Sequence, residues 1–348
     1  MNLINKIAIV VGLILLCFTL NSGAHNKVVV IPLLGDGGSI GSNNIENIIV
    51  VAPENGDFTN PIDAMNSIPD TFGRSRYVIF MAPGNYIIPP NEQLVIKPGV
   101  DIVGSGSRVT FITFPRPDTF HQADNLADPR AALVVAPVGN VSISDIGIRG
   151  ERIGNPSVGL HIPLRSTLRL TNTSITIGMS LGASSTASVY ISNFGILRTS
   201  NSHFGSFGLS QQGTYGIFND GGTLDFSRST MRVGDFPGGP AFGIFNSENS
   251  TAMVDGSEIR MTGDREQFGI QNNSNTAYSR ISNTTIFADT AGFVAGSGSG
   301  TFESYVSNSQ FSSGATGNPK CNFVFTINGE SLGDECRLTV LNQLPVAE

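Results

Sequence analysis

The sequence predicts an all-β chain wound into a single-stranded right-handed parallel β-helix, a solenoid of about 27 residues per coil. Three observations carry this expectation. A short strand pattern recurs at a near-constant interval from about residue 141 to 311, and a second marker rides on the same interval. The composition, with 41 Gly and no Trp, suits many short strands and tight bends rather than a helical bundle. Hydrophobic residues make up 40% of the chain against 14% charged, enough for a large core, and the remaining polarity comes from Ser, Thr, Asn and Gly.

The recurring pattern reads apolar-x-apolar-x-(Asn/Asp)-(Ser/Thr)-x-apolar. Its clearest copies run from Leu168 to Ile175, Ile281 to Ile286 and Val306 to Phe311; weaker ones begin at Val141, Asn201, Leu224 and Val254. The fifth positions are Asp145, Asn172, Asn201, Arg228, Gly256, Asn283 and Asn308, at steps of 27, 29, 27, 28, 27 and 25. The second marker is Gly216-Ile217-Phe218-Asn219, Gly243-Ile244-Phe245-Asn246 and Gly269-Ile270-Gln271-Asn272, at steps of 27 and 26. A unit of two or three short strands with one apolar face cannot bury that face alone. Stacking the coils roughly 4.8 Å apart solves the problem and turns like residues into internal ladders. Asn219, Asn246 and Asn272 are then expected to lie over one another at an inner bend, bonding along the stack as structural residues. Leucine-rich repeats share a similar period but not the Leu-x-x-Leu-x-Leu signature, and a propeller blade needs more residues.

From the N-terminus, Lys6, the apolar run from Ile7 to Leu20 and the small residues Ser22, Gly23 and Ala24 read as a signal peptide over residues 1–24, cut after Ala24. The run is too short to cross a bilayer comfortably, so no membrane insertion is expected after cleavage, and Cys17 leaves with the signal. Residues 25–55 read as a leader, with Lys27 to Pro32 as an edge strand and Gly35 to Asn44 as a linker. The β-helix is expected over 56–314 and a C-terminal cap over 315–348. Cys321 and Cys336 form the even pair of an exported protein and are expected to be bonded, with Phe323 to Ile327 as a strand and Asn328-Gly329 as the hairpin turn between them. That bridge should add roughly 3 kcal/mol on the chain-entropy model. The formal charge of −7, or −8 once Lys6 is removed with the signal, argues against nucleic acid as a partner.

Tyr77 to Tyr86, with Ala82-Pro83-Gly84-Asn85 at its end, and Leu94 to Gly106 resemble the opening of pectin-lyase-like proteins. Asp57-Phe58-Thr59, Ile62-Asp63-Ala64 and Ile68-Pro69 resemble the short helix that caps the first coil in that superfamily. Ala132 to Val135 and Val141 to Gly150 are most similar to pectin methylesterases. The resemblance implies the β-helix and its cap, since these residues are turns and core. It does not extend to the catalytic strings. Pro156-Ser157-Val158-Gly159-Leu160 stands where the esterases have Gln-Ala-Val-Ala-Leu, and Ile177 to Leu181 does not match their Gln-Asp-Thr-Leu. Asn193-Phe194-Gly195-Ile196 puts an amide where their nucleophilic carboxylate belongs, and the terminal Arg-Pro-Trp cannot exist without Trp. The strings of polygalacturonases and the clustered Asp and Arg-x-Pro-x-x-Arg of pectate lyases are missing too.

Two surface stretches remain as candidates. Arg232 with Asp235, then Arg260 with Asp264, Arg265 and Glu266, then Asp289, are expected to stack into one charged stripe. In a working groove, Arg260 or Arg265 would orient an acidic sugar, and Asp235 or Asp264 would act as base or calcium ligand. A solvated outer loop accounts for the same charges. The insertion from Phe114 to Arg130 carries Arg116, Asp118, His121, Asp124, Asp128 and Arg130 and reads either as a binding loop or as plain surface. Phe207, Tyr215, Phe236 and Phe242 could stack on sugar rings or fill core. His25, His121, His161 and His203 show no metal-ligand spacing, so no metal or other cofactor is expected beyond calcium at the acidic positions. The leading expectation is an exported, non-catalytic β-helix that binds polysaccharide or cell-surface glycan. The alternatives are a diverged polysaccharide lyase, hydrolase or epimerase acting on uronic-acid polymers, and a structural or adhesive surface protein.

Overall fold

The computed structural model describes residues 47–70, 75–90, 92–115, 123–150, 156–178, 184–208, 210, 212–235, 239–295, 304–317, 319–334 and 336. The expected signal peptide, edge strand and linker lie outside the described residues, as does the tail beyond residue 336.

The chain is a right-handed parallel β-solenoid in which, among the described residues, each full coil contributes one strand to each of three sheets. The first sheet has 11 strands, from Asn47–Val51 to Lys320–Asn322, the second has 10, from Gly84–Ile87 to Phe325–Thr326, and the third has 9, from Leu94–Val95 to Ala315–Thr316. Paired strands between the sheets' ends belong to successive coils and run parallel. The stack therefore begins ahead of residue 56 and continues past residue 314. The short helix Pro61–Ser67 is capped by Asn60, whose side chain accepts from the Ile62 N–H, and it buries Ala64 and Met65.

Inside, like residues pile up in columns. In the second sheet Tyr86, Ile112, Ile148, Ile175, Phe204, Met231, Ile259, Ile286 and Phe311 follow one another in register. In the third sheet Leu160, Val189, Ile217, Ile244, Ile270 and Phe293 do the same. All of these except Tyr86 are at most 1% exposed, so each coil supplies a slice of one continuous apolar core.

The (Asn/Asp)-(Ser/Thr) pair of the repeat makes the corner between the first and second sheets. Asp145, Asn172, Asn201, Arg228, Gly256, Asn283 and Asn308 all have φ between 45° and 56°, the left-handed region that Asn, Asp and Gly tolerate best. The hydroxyl residue that follows turns inward. Ser202, Ser229 and Ser257 each donate to the carbonyl two residues earlier, at 2.8 to 2.9 Å. Each also accepts from the backbone N–H of Thr173, Ser202 and Ser229 in the preceding coil, at 3.1 to 3.2 Å. Ser309 serves Thr284 in the same way. A buried N–H that the sheet ladders cannot reach is thus satisfied at these four corners.

At the opposite corner Asn219, Asn246 and Asn272 lie over one another, each at most 2% exposed. The Asn219 amide donates to Asn246 Oδ1 at 3.0 Å, and the Asn246 amide donates to Asn272 Oδ1 at 2.9 Å. Asn272 ends the row by donating to Ser304 Oγ at 2.9 Å. The glycine of the same motif has its own cause. A Cβ on Gly243 would stand 2.3 Å from the Gly269 carbonyl oxygen and 2.7 Å from the Ile259 side chain, so the strand has room only for hydrogen there.

The disulfide Cys321–Cys336 closes the last coil. Cys321 occupies the column of Val306, and Cys336, fully buried, covers it from below. The strand expected over Phe323 to Ile327 is shorter, because Phe323 takes φ 54° and makes the same corner as the coils from Asp145 to Asn308, which leaves only Phe325–Thr326 paired. The turn through Asn328-Gly329 follows, with the Gly329 N–H donating to the Thr326 carbonyl at 2.9 Å.

Asn246→Ala removes the middle rung and leaves the Asn219 amide and Asn272 carbonyl short of partners. It should cost about 3 kcal/mol of unfolding free energy by urea titration, against less than about 0.5 kcal/mol for the exposed neighbour Asn273→Ala.

Candidate functional site

The outer face of the second sheet is built from columns that face solvent. One reads Arg149, Thr176, Gly205, Arg232, Arg260 and Phe287, and its neighbour ends in Phe207, Gly234 and Thr262. Arg232 and Arg260 are therefore direct neighbours on adjacent strands, two like charges one coil apart. Arg260 is held by Glu258, two residues earlier on the same face, through Nε and Nη2 at 3.2 Å, and its guanidinium lies 4.0 Å over the Phe287 ring. Arg232 is exposed and makes no hydrogen bond or ion pair among the described residues. Burial and the charge of Arg232 both hold the His203 imidazole below its usual pKa, so His203 is neutral and adds no third charge. Its Nδ1 is 2.9 Å from Thr230 Oγ1.

Beside the arginines Phe207 lies down on the sheet. A Cβ on Gly205 would be 3.1 Å from the Phe207 ring, and one on Gly234 would be 2.8 Å from it, so two bare glycines form the floor. The ring lies against that floor, and Phe207 is half-buried. A flat aromatic ring beside paired guanidinium groups can stack on a sugar and clamp its carboxylate.

The other expected residues are placed apart. Asp264, Arg265 and Glu266 lie exposed on the turn after the strand Glu258–Thr262, and Asp289 on the turn after Thr285–Phe287. They do not join the Arg232–Arg260 column, in which the residue after Arg260 is Phe287. Asp235 ends the strand Thr230–Asp235, but its side chain lies outside the described residues, as do Arg116, His121 and Phe236. In the described part of the 114–130 insertion, Arg130 pairs with Asp128 and, at 3.5 Å, with Asp124, while Leu126 packs on the third sheet. The Arg130 guanidinium holds the Asp128 carboxyl down at about 2. Among the described residues no cluster of His, Cys, Asp or Glu could hold a metal, and no helix is long and apolar enough to cross a membrane.

Tyr215 and Phe242 belong to a ladder on the outer face of the third sheet. Tyr215 stacks on Phe242 at 5.0 Å and Phe242 on Phe268 at 5.3 Å, with ring planes within 12°. Both faces of Phe242, and one face each of Tyr215 and Phe268, are taken up by this stacking. At the corner of that face lies a second cluster, which no motif or spacing marks. His161 Nε2 is 2.8 Å from Ser192 Oγ, and the Tyr190 ring stands edge-on to the imidazole at 5.3 Å. Tyr190 donates to Asp220 Oδ2 at 2.5 Å, and Ser247 donates to Asp220 Oδ1 at 2.6 Å.

No family model matches the chain, and no curated protein matches it in sequence. Several solved structures share its path. A pectin methylesterase from carrot is 14% identical with a TM-score of 0.48, over 84% of this chain and 85% of that one. One from Erwinia chrysanthemi is 13% identical with a TM-score of 0.44, over 84% and 92%. One from Aspergillus niger is 13% identical with a TM-score of 0.43, over 84% and 94%. The likeness is one of fold.

Burial pushes the His161 imidazole, 2% exposed, down to about 4, with the Asp128 carboxylate acting weakly in the other direction. An unfolded imidazole titrates near 6.5, so between these values the unfolded chain binds more protons than the folded one. The stability this site contributes is complete above pH 6.5, falls as pH drops, and is gone below about pH 4. The full span is on the order of 3 kcal/mol. Urea titrations of the wild type and His161→Gln at pH 7, 5.5 and 4 should show the wild type losing that extra stability and the variant not.

Proposed function

We propose that the chain is an exported β-helix that binds an acidic polysaccharide on the outer face of its second sheet. The observation that carries the reading is the Arg232–Arg260 neighbour pair beside the Phe207 ring on its glycine floor. The two residues are in register on adjacent strands, but Arg260 is held by Glu258 and lies over Phe287, so Arg232 is the uncommitted cation of the pair and is left to meet an anion. A uronic-acid polymer carries a carboxylate on every sugar, so a chain crossing this face offers Arg232 an anion and Phe207 a sugar ring. The role on this face is binding. Glu258, the one carboxylate in register with it, is committed to Arg260, and no second carboxylate of the described side chains pairs with it for acid-base work. Export is supported by the Cys321–Cys336 bridge and by the apolar stretch from Ile7 to Leu20 followed by small residues.

Affinity electrophoresis in gels containing polygalacturonate tests this directly, with dextran as the neutral control. The wild type should be retarded by polygalacturonate alone, and less so as salt rises from about 50 to 500 mM. Arg232→Ala and Phe207→Ala should each weaken binding by about tenfold, and Arg265→Ala by less than about twofold. Equal retardation by dextran, or unchanged binding in Arg232→Ala, would remove the proposal.

A further inference from the structure

A separate corner of the molecule carries the parts of a nucleophilic site. His161 is the last residue but one of the strand Ser157–Ile162, with its ring on the outer face of the third sheet. Ser192 opens the turn after the strand Ser185–Ile191, one coil further on, and its backbone N–H is fixed to the Ile162 carbonyl at 2.9 Å. The two side chains meet at 2.8 Å between Nε2 and Oγ, inside the range over which a base takes a proton from a serine. Ser192 is half-buried and open on one side, whereas His161 is sealed beneath it. The Tyr190 ring, itself fixed by Asp220 and Ser247, packs edge-on against the imidazole, so packing holds the ring in place while Nδ1 stays buried with no hydrogen-bond partner among the described residues.

Two further features suit acyl chemistry. The backbone N–H of Asn193, the residue after the serine, donates to no group among the described residues, while those of Phe194 and Gly195 are committed to the carbonyls of Gly221 and Ser192. An uncommitted N–H just after a nucleophile is where an oxyanion is stabilised. On the same row of turns Phe194 is 68% exposed, and Leu164, in the coil before, is 49% exposed. They are exposed apolar side chains on the turns that flank the serine in sequence and in the preceding coil.

The geometry points to Ser192 and His161 as nucleophile and general base of an ester-cleaving site that takes a carboxylic ester with a small apolar acyl group. Ser192 Oγ bonds to the ester carbonyl carbon as its proton passes to His161 Nε2. The ester C–O bond breaks, and the alcohol leaves with that proton. Water then attacks the acyl-serine, gives a proton to His161 and releases the carboxylic acid, after which the proton returns to Ser192 Oγ. No oxidant, metal or cofactor enters the balance. The site lies on the third sheet and does not depend on glycan binding at the second.

The test uses the whole chain with a fluorophosphonate probe and with p-nitrophenyl acetate and butyrate. The expected result is a single covalent adduct at Ser192, mapped by peptide mass spectrometry, and nitrophenol release that Ser192→Ala lowers by at least about 100-fold with an unchanged melting temperature. His161→Gln should lower kcat, and Phe194→Asn, at an exposed residue whose φ of 57° Asn accepts, should raise KM for butyrate more than for acetate. An adduct at another residue, no adduct, or wild-type release in Ser192→Ala would overturn the inference. Retardation of Ser192→Ala by polygalacturonate reads the glycan proposal separately.

Discussion

Everything in this molecule depends on successive coils lying flat on one another in register. A single coil is three short strands with one apolar side, and it has no partner for its backbone groups or for its core until the next coil arrives. The hydrophobic columns supply the bulk of the attraction but little directional information, since Ile, Leu and Val could slide past one another with small loss. The polar rows fix the register. At one corner a buried hydroxyl answers an N–H of the coil before it, and at the other an amide answers an amide. A slip by one residue would leave these buried groups unpaired, which costs more per group than a lost methylene.

That dependence explains which parts of the structure were legible in the sequence. The period could be read because every coil puts the same demand on the same position. The corner needs a residue that accepts positive φ, and Asn172, Asn201, Asn283 and Asn308 meet it. The next position needs an inward hydroxyl, and Ser202, Ser229 and Ser257 provide one. The Gly-Ile-Phe-Asn marker is likewise one environment repeated, with Gly where a side chain would strike the next coil and Asn in the ladder. Phe323 shows the limit of such reading. Its neighbours alternate like a strand, yet the corner falls on it because the coil must turn there.

The candidate surfaces were less legible, for a physical reason. Periodicity marks what the interior demands of each coil, and outer columns are under no such demand. Arg232 and Arg260 are 28 residues apart and fall together, but the next place in that column is Phe287, and Asp289, two residues further on, falls on the turn after the strand. In the sequence Phe207 is one of four aromatics that could stack on sugar rings or fill core, and its glycine floor cannot be read there because Gly234 comes from another coil. His161 and Ser192 meet although one ends a strand and the other starts a turn a coil later. No offset within the repeat links them, so only the three-dimensional path brings them into reach.

The chain thus joins a rigid, repetitive interior to outer faces that vary freely, and whatever it does is done by those faces. The stacking itself can be measured with pairs of spin labels on the outward column of the first sheet, where Ser142, Arg169, Arg198, Asp225, Met253, Arg280 and Tyr305 follow one another in register. Labels at Ser142 and Met253, Ser142 and Arg280, and Ser142 and Tyr305 should report distances near 19, 24 and 29 Å, about 4.8 Å more for each added coil. Distances that fail to rise in equal steps would contradict the stacked arrangement.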